Sequence, residues 1–167
     1  LMKKLHILRH LRWKWIRASS RDNARTPMQW SGEKNAGFTG GIPWLGINGN
    51  YRHINYESQK KDPASILNFY KNLVRLRLQS PCLMEGEFRP LYADSRIMIY
   101  SRELGNEVYT AALNFSGREI RLGPVPAALI AAAGPVAVSN TGRTEADKKL
   151  LPWEGLLFKK NTSEGEI

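Results

Sequence analysis

Residues 18 to 62 keep no sustained hydrophobic period, yet their composition is not that of a tether. Phe38, Trp44, Tyr51 and Tyr56 stand among Gly37, Gly40, Gly41, Gly46 and Gly49. A solvated linker lacks such aromatics, because it has no core to bury them in. A long stretch of this kind inside a chain of 167 residues reads as one ordered loop that carries function. The rest of the chain must then supply the scaffold that holds it.

The scaffold begins with a helix, predicted over residues 63 to 79. Asp62 suits the N-cap and Pro63 the first helical position. Ile66, Phe69, Tyr70, Leu73, Val74 and Leu76 make a broad apolar face, and Asn68, Lys71, Asn72, Arg75 and Gln79 make the wet one. Ser80-Pro81 ends it. From Glu85 onward the pattern is that of strands: residues 97 to 100, then 107 to 115, with Leu104-Gly105-Asn106 as a hairpin signal between them. Residues 118 to 122 read as a third short strand. Two later apolar pieces, 127 to 139 and 150 to 158, complete a small antiparallel sandwich around a polar loop at 141 to 149.

Charge narrows the partners. The chain carries 25 Lys and Arg against 15 Asp and Glu, a net charge of +10. Six of those bases, and no acid, fall in the first 20 residues, so the excess lies mostly in one short head. Over residues 1 to 17, Leu5, Leu8, Leu11 and Trp15 recur at helical steps among the bases. Such a helix fits an anionic surface, and it fits better the cut edge of a longer chain, dispensable to the fold. Bases interleaved with stacking aromatics across the fold are absent, which argues against a nucleic-acid partner. No run approaches the roughly 18 apolar residues of a membrane span. The head lacks a small-residue cleavage site, and the expectation is a cytoplasmic protein without a membrane partner. Cys82 is the single cysteine, and His6, His10 and His53 form no ligand pattern, so neither a metal nor another cofactor is expected.

The sharpest local feature is Ser20-Arg21-Asp22-Asn23-Ala24-Arg25-Thr26-Pro27-Met28-Gln29-Trp30. Two arginines flank a carboxylate and an amide, and Pro27 stiffens the exit. Guanidinium forks donate paired hydrogen bonds to hydroxyls or to a carboxylate, and Trp30 or Trp44 offers a face on which a sugar stacks. The same residues also suit a loop whose charges pair only with one another. The residue types alone leave both readings open.

The motif resembles a known family. Residues 21 to 30, followed by Asn35-Ala36-Gly37-Phe38-Thr39, Pro43-Trp44, Asn50-Tyr51 and Ile54-Asn55, are similar to the α-glucosidase branch of the α-amylase superfamily, glycoside hydrolase family 13. The resemblance covers residues 18 to 122 well and 150 to 158 weakly. It implies a retaining, exo-acting glucosidase with an Asp nucleophile, a Glu acid/base and a second Asp that stabilises the transition state. All three belong upstream of this loop and have no matching position here. A complete (β/α)8 barrel takes about 250 residues, more than this chain has.

The expectation is therefore an α+β fragment. Residues 1–17 are a basic head, most of which resembles no part of the family's fold. Residues 18–82 are the end of a (β/α)8 barrel, its active-site loop and last helix. Residues 83–160 form a small antiparallel β-sandwich domain, and 161–167 a tail. No catalytic residue is assigned, and the chain alone is expected to be inactive. By the resemblance, Arg25 lines the innermost glucose subsite and pairs with an upstream Asp. Arg21 joins the subsite or shapes the loop, and Asp22 serves as an arginine partner. The partner implied for the complete enzyme is an α-glucoside oligosaccharide, with no oligomeric state fixed. The competing reading is a non-catalytic carbohydrate-binding or interaction module built on the strands. Gly40-Gly41 and Asn48-Gly49-Asn50-Tyr51 depart from the family pattern in a way that loosens the loop, and residues 124 to 149 depart from it as well.

Overall fold

The computed structural model describes residues 21–161. The basic head and the tail, with the readings placed on them, lie outside the described residues. The chain divides into two compact units between Tyr70 and Lys71.

Among its described residues, the first unit holds short turns, one small helix and the start of a longer one. The 3-10 turns Arg21–Ala24 and Gly49–Arg52 bracket a tight turn at Lys34–Gly37. Helix α1 (Tyr56–Lys61) lies within the stretch read from the sequence as loop. Asn55 and Ser58 start it reciprocally: the Ser58 N–H donates to Asn55 Oδ1 at 2.9 Å, and the Asn55 N–H donates to Ser58 Oγ at 3.3 Å. Lys60 and Lys61 sit favourably at its negative end.

Helix α2 (Ile66–Gln79) runs across the division between the units. It starts later than predicted. Asp62 Oδ1 accepts from the Ala64 N–H at 2.9 Å and holds a turn, and Ser65 takes over as cap by accepting from the Asn68 N–H at 3.2 Å. None of its residues is buried. On its apolar side Ile66 is 80% and Leu78 68% exposed, with Tyr70 and Val74 between them at four-residue steps. Ser80-Pro81 ends this helix and opens another. Pro81 has no N–H to leave unsatisfied and heads α3 (Pro81–Glu85), while Ser80 Oγ accepts from the Leu83 N–H.

The second unit centres on a five-stranded antiparallel sheet. Its strands are β1 (Glu87–Ala93), β2 (Ile97–Leu104), β3 (Glu107–Asn114), β5 (Val136–Ser139) and β7 (Gly155–Asn161), in the order β1-β2-β3-β7-β5. The β2–β3 hairpin closes where predicted, with Gly105 at φ 58 in its turn. The two outer strands carry irregularities: the register shifts between Pro90 and Tyr92 in β1, and between Val136 and Val138 in β5. Strands β4 (Ile120–Arg121) and β6 (Lys149–Leu150) pair as a separate ribbon.

One sheet face buries Ile97, Ile99, Ala112, Leu156 and Phe158 against Ile120 and Leu150 of the ribbon and Ile130 and Ala133 of a helical segment. The other face buries Tyr109 against Cys82 and Leu83. Tyr109 through Ala112 are buried in succession, without the alternation of a one-sided strand, because both faces of β3 are covered there.

That helical segment corrects a sequence expectation. The sequence pattern predicts residues 127 to 139 as one extended piece of a sandwich. They split instead into α4 (Pro124–Ala132) and β5. Pro124 opens the helix, the alanines favour it, and Gly134 at φ 92 stops it. A Cβ on Gly134 would lie 2.9 Å from the Lys159 carbonyl, so glycine also permits that close approach. The layer facing the sheet is thus a two-stranded ribbon plus a helix.

The piece at 150 to 158 is broken as well. Trp153 sits at φ 55, a left-handed conformation that costs a bulky residue on the order of 1–3 kcal/mol. The turn is held by Glu154, whose side chain is fully buried. Its carboxylate accepts from the Leu151 N–H (2.8 Å), the Thr141 hydroxyl (2.6 Å) and the Arg143 guanidinium (2.9 Å).

Between β1 and β2, Asp94 caps the connection. Its Oδ1 accepts from the N–H groups of Arg96 and Ile97, both at 2.7 Å. These two bonds hold its carboxyl below the ordinary aspartate value of 3.8. A depressed carboxyl stabilises the fold above its unfolded value, and that contribution is lost as pH falls through the folded one. The chain should therefore lose melting temperature on acidification below about pH 4 more steeply than Asp94→Asn does. Parallel melting curves for the two down to about pH 3 would remove Asp94 from the acid response.

Candidate functional site

The motif loop is fixed largely through its backbone. Arg21 and Asp22 open a 3-10 turn, and the Arg25 N–H donates to the Asp22 carbonyl at 3.0 Å, folding Arg25 back over that turn. The structure so brings Arg21, Asp22 and Arg25 onto one turn. Asp22 and Arg25 are exposed, whereas Pro27 is buried and anchors the exit.

Beyond Pro27 the chain is clamped from two sides. The Tyr56 N–H donates to the Gln29 carbonyl at 2.9 Å and the Glu57 N–H to the Trp30 carbonyl at 3.1 Å, tying the loop to the start of α1. The Gln29 side-chain amide donates to the Ile54 carbonyl. The N–H groups of Trp30 and Ser31 converge on the Ala36 carbonyl at 2.9 and 3.0 Å.

That carbonyl is aimed by an unusual turn. Asn35, Ala36 and Gly37 are all left-handed, at φ 55, 57 and 65, although non-glycine residues rarely adopt this conformation in succession. Asn35 Nδ2 donates to the carbonyls of Thr39 (3.1 Å) and Gly41 (2.7 Å), which holds the turn. Gly37 is required where it stands, since a Cβ there would come within 2.6 Å of Ser31 Oγ.

A cleft of ≈ 350 Å³ lies along residues 26 to 29, facing Tyr56 and Leu67. Its amides are occupied internally. Asn55 bonds Ser58 and the Tyr51 carbonyl, and Gln59 Oε1 accepts from the Leu67 N–H. The cleft therefore braces the loop, and Arg25 is among the side chains that the loop leaves exposed, with Asp22, Met28 and Trp30. Of the two stacking candidates, Trp30 meets Tyr56 edge to face at 5.7 Å and is half-exposed, while Trp44 projects into solvent. Sequence reasoning missed the bracing roles of Gln29, Asn55 and the left-handed turn. The Asn-Ala-Gly triplet was the available signal, since Asn and Gly tolerate positive φ best.

Comparison with known proteins adds family to geometry. The α-amylase catalytic-domain model matches residues 9–86. The chain is 38% identical over 144 residues to an oligo-1,6-glucosidase of Parageobacillus thermoglucosidasius, covering 83% of this chain and 25% of the enzyme. It is 41% identical over 107 residues to the trehalose-6-phosphate hydrolase of Escherichia coli K12, covering 64% of this chain and 19% of that protein. Among solved structures it resembles the isomaltulose synthase of Klebsiella sp. LX3, with a TM-score of 0.74 and 37% identity over 84% of this chain and 26% of that one. It also resembles the Bacillus licheniformis trehalose-6-phosphate hydrolase, with a TM-score of 0.75 and 34% identity over 88% of this chain and 27% of that one. The chain spans about a quarter of the length of the glucosidases that it matches over most of its own. No helix among the described residues is long and apolar enough to cross a membrane. With the motif, the downstream residues and these relatives in agreement, the chain is similar to the α-glucosidase branch of the α-amylase superfamily, glycoside hydrolase family 13, over a part of those enzymes' length.

Proposed function

We propose that this chain is the C-terminal portion of a retaining, exo-acting α-glucosidase that acts on α-glucoside oligosaccharides. It contributes the active-site loop, the last helix of a (β/α)8 barrel and the β-domain that follows. The nucleophile, the acid/base and the stabilising carboxylate belong to the preceding portion of such an enzyme. The observation that carries the reading is the continuity of the similarity. An alignment of 144 residues at 38% identity, in a chain of 167, necessarily runs through both units. The exposed apolar side of α2 supports it, because that side is what a barrel helix turns toward its strands.

In this reading Arg25 grips the non-reducing glucose, and Arg21 and Asp22 complete its turn. An arginine fork holds a sugar hydroxyl and an acidic partner in one plane. Lysine keeps the charge and loses the fork. In the complete enzyme, Arg25→Lys should lower kcat/KM for glucosides by about 1.5–3 kcal/mol, the value of a hydrogen bond to a charged group. Lys71→Ala, on the wet side of α2, should leave it unchanged. Steady-state kinetics on the folded variants decide, and wild-type values for Arg25→Lys would reduce the motif to a structural loop.

A further inference from the structure

We propose that the second unit carries a carbohydrate-binding surface of its own, built on Trp153 and Phe115, that takes the face of a pyranose ring in an α-glucan. The starting observation is that Trp153 is held in a strained conformation and yet is 63% exposed. Strain of this kind persists only where the surroundings over-determine it, and it gathers at ligand-holding sites.

The surroundings do over-determine it. The Trp153 N–H donates to the Ser116 carbonyl at 3.0 Å, and Asn140 Nδ2 donates to the Trp153 carbonyl at 2.9 Å. Asn114 Nδ2 bonds the carbonyls of both Arg118 and Leu151, and the Asn114 N–H reaches the Glu154 carbonyl at 2.8 Å. Two turns, residues 114–118 and 151–154, are thereby stitched into one rigid end of the sheet.

Gly117 completes the arrangement. A Cβ there would stand 3.4 Å from the indole Nε1 and 3.7 Å from Cε2 and Cζ2, so its backbone lies against the indole and leaves the rest of the ring open. Phe115, two residues earlier in the same turn, is 57% exposed. Two exposed aromatic residues thus belong to adjoining turns, and the exposed Arg118, in the same turn as Phe115, offers a hydrogen-bond donor.

Sugar chemistry matches this surface. The C–H groups on one face of a pyranose carry the partial positive charge that the face of an aromatic ring attracts, and its edge hydroxyls need polar neighbours. A fixed indole loses little freedom on binding, which favours an otherwise weak contact. A bilayer would call for a basic amphipathic helix, and this end of the sheet is two turns. The proposal does not depend on the role given to Arg25, and normal kinetics for Arg25→Lys would leave it standing.

The test is a titration of the full chain with maltoheptaose, followed by the indole N–H resonance of Trp153, assigned by its loss in Trp153→Phe. A saturable shift is expected. Trp153→Gly should weaken binding about tenfold or more. It should also keep or raise the melting temperature, because glycine accepts φ 55 without strain. Phe115→Ser should weaken binding several-fold. The proposal is overturned by a Trp153 resonance that does not move at about 10 mM sugar, a concentration that reveals even millimolar affinity. It is equally overturned by a shift confined to Trp44, by unchanged affinity in Trp153→Gly, or by unfolding of that variant, which would make the indole a structural prop.

Discussion

Glu154→Ala should destabilise the second unit by about 3 kcal/mol, the low end of what breaking a buried ion pair costs. The removed carboxylate has a fully buried side chain and accepts three hydrogen bonds. Its loss leaves the Leu151 N–H without its acceptor and Arg143 largely covered. The low end applies because Arg143 keeps a second acid, Asp147, at 3.0 Å. In a unit of this size the melting temperature should fall by more than about 10 °C. Glu119→Ala removes the pair with Lys149, which is exposed on both sides, and should cost less than about 1 kcal/mol. Calorimetry of the two variants separates these cases, and equal melting temperatures would show that the Glu154 network is not what holds the turn.

A substitution on α2 should give opposite results in two settings. Leu78→Ser changes a side chain that this chain leaves exposed, so here its effect should stay within about 0.5 kcal/mol. In the complete enzyme the same side of the helix is proposed to face barrel strands. Burying a leucine there contributes about 1.5–3 kcal/mol, and Leu78→Ser should lose most of it. Denaturant unfolding of both forms gives the comparison. Equal small effects in both would mean that this side of α2 meets nothing in the enzyme, and would remove one support of the fragment reading.

What the sequence made legible follows a physical rule. The hairpin at Gly105, the strands at 97 and 107 and the helix ending at Gln79 are each announced by local chemistry, and each lies where that chemistry placed it. Residues 127 to 133 are apolar on every side, and in so short a run helix and strand periods cannot be told apart. Pro124 was the signal that favoured a helix. The late start of α2 is a contest between two caps, Asp62 and Ser65, that local propensity does not rank. In the motif region, the Arg25 turn was legible as a pattern of side chains. The bracing of that turn by Ala36, Ile54 and Tyr56 was not, because it runs through backbone groups 5 to 27 positions away along the chain, which leave no mark on composition.

The two irregular outer strands have a consequence for how the second unit behaves among other copies of itself. A sheet invites growth wherever a long, flat outer strand offers its peptide groups to another chain. Here one border carries Pro90, which has no N–H to offer, beside a shift of register. The other border is only four residues long and is also out of step with its neighbour. The long strands β2, β3 and β7 lie between them. The sheet is in effect self-terminating, and it can present aromatic side chains to solvent at its end without recruiting further strands at its sides.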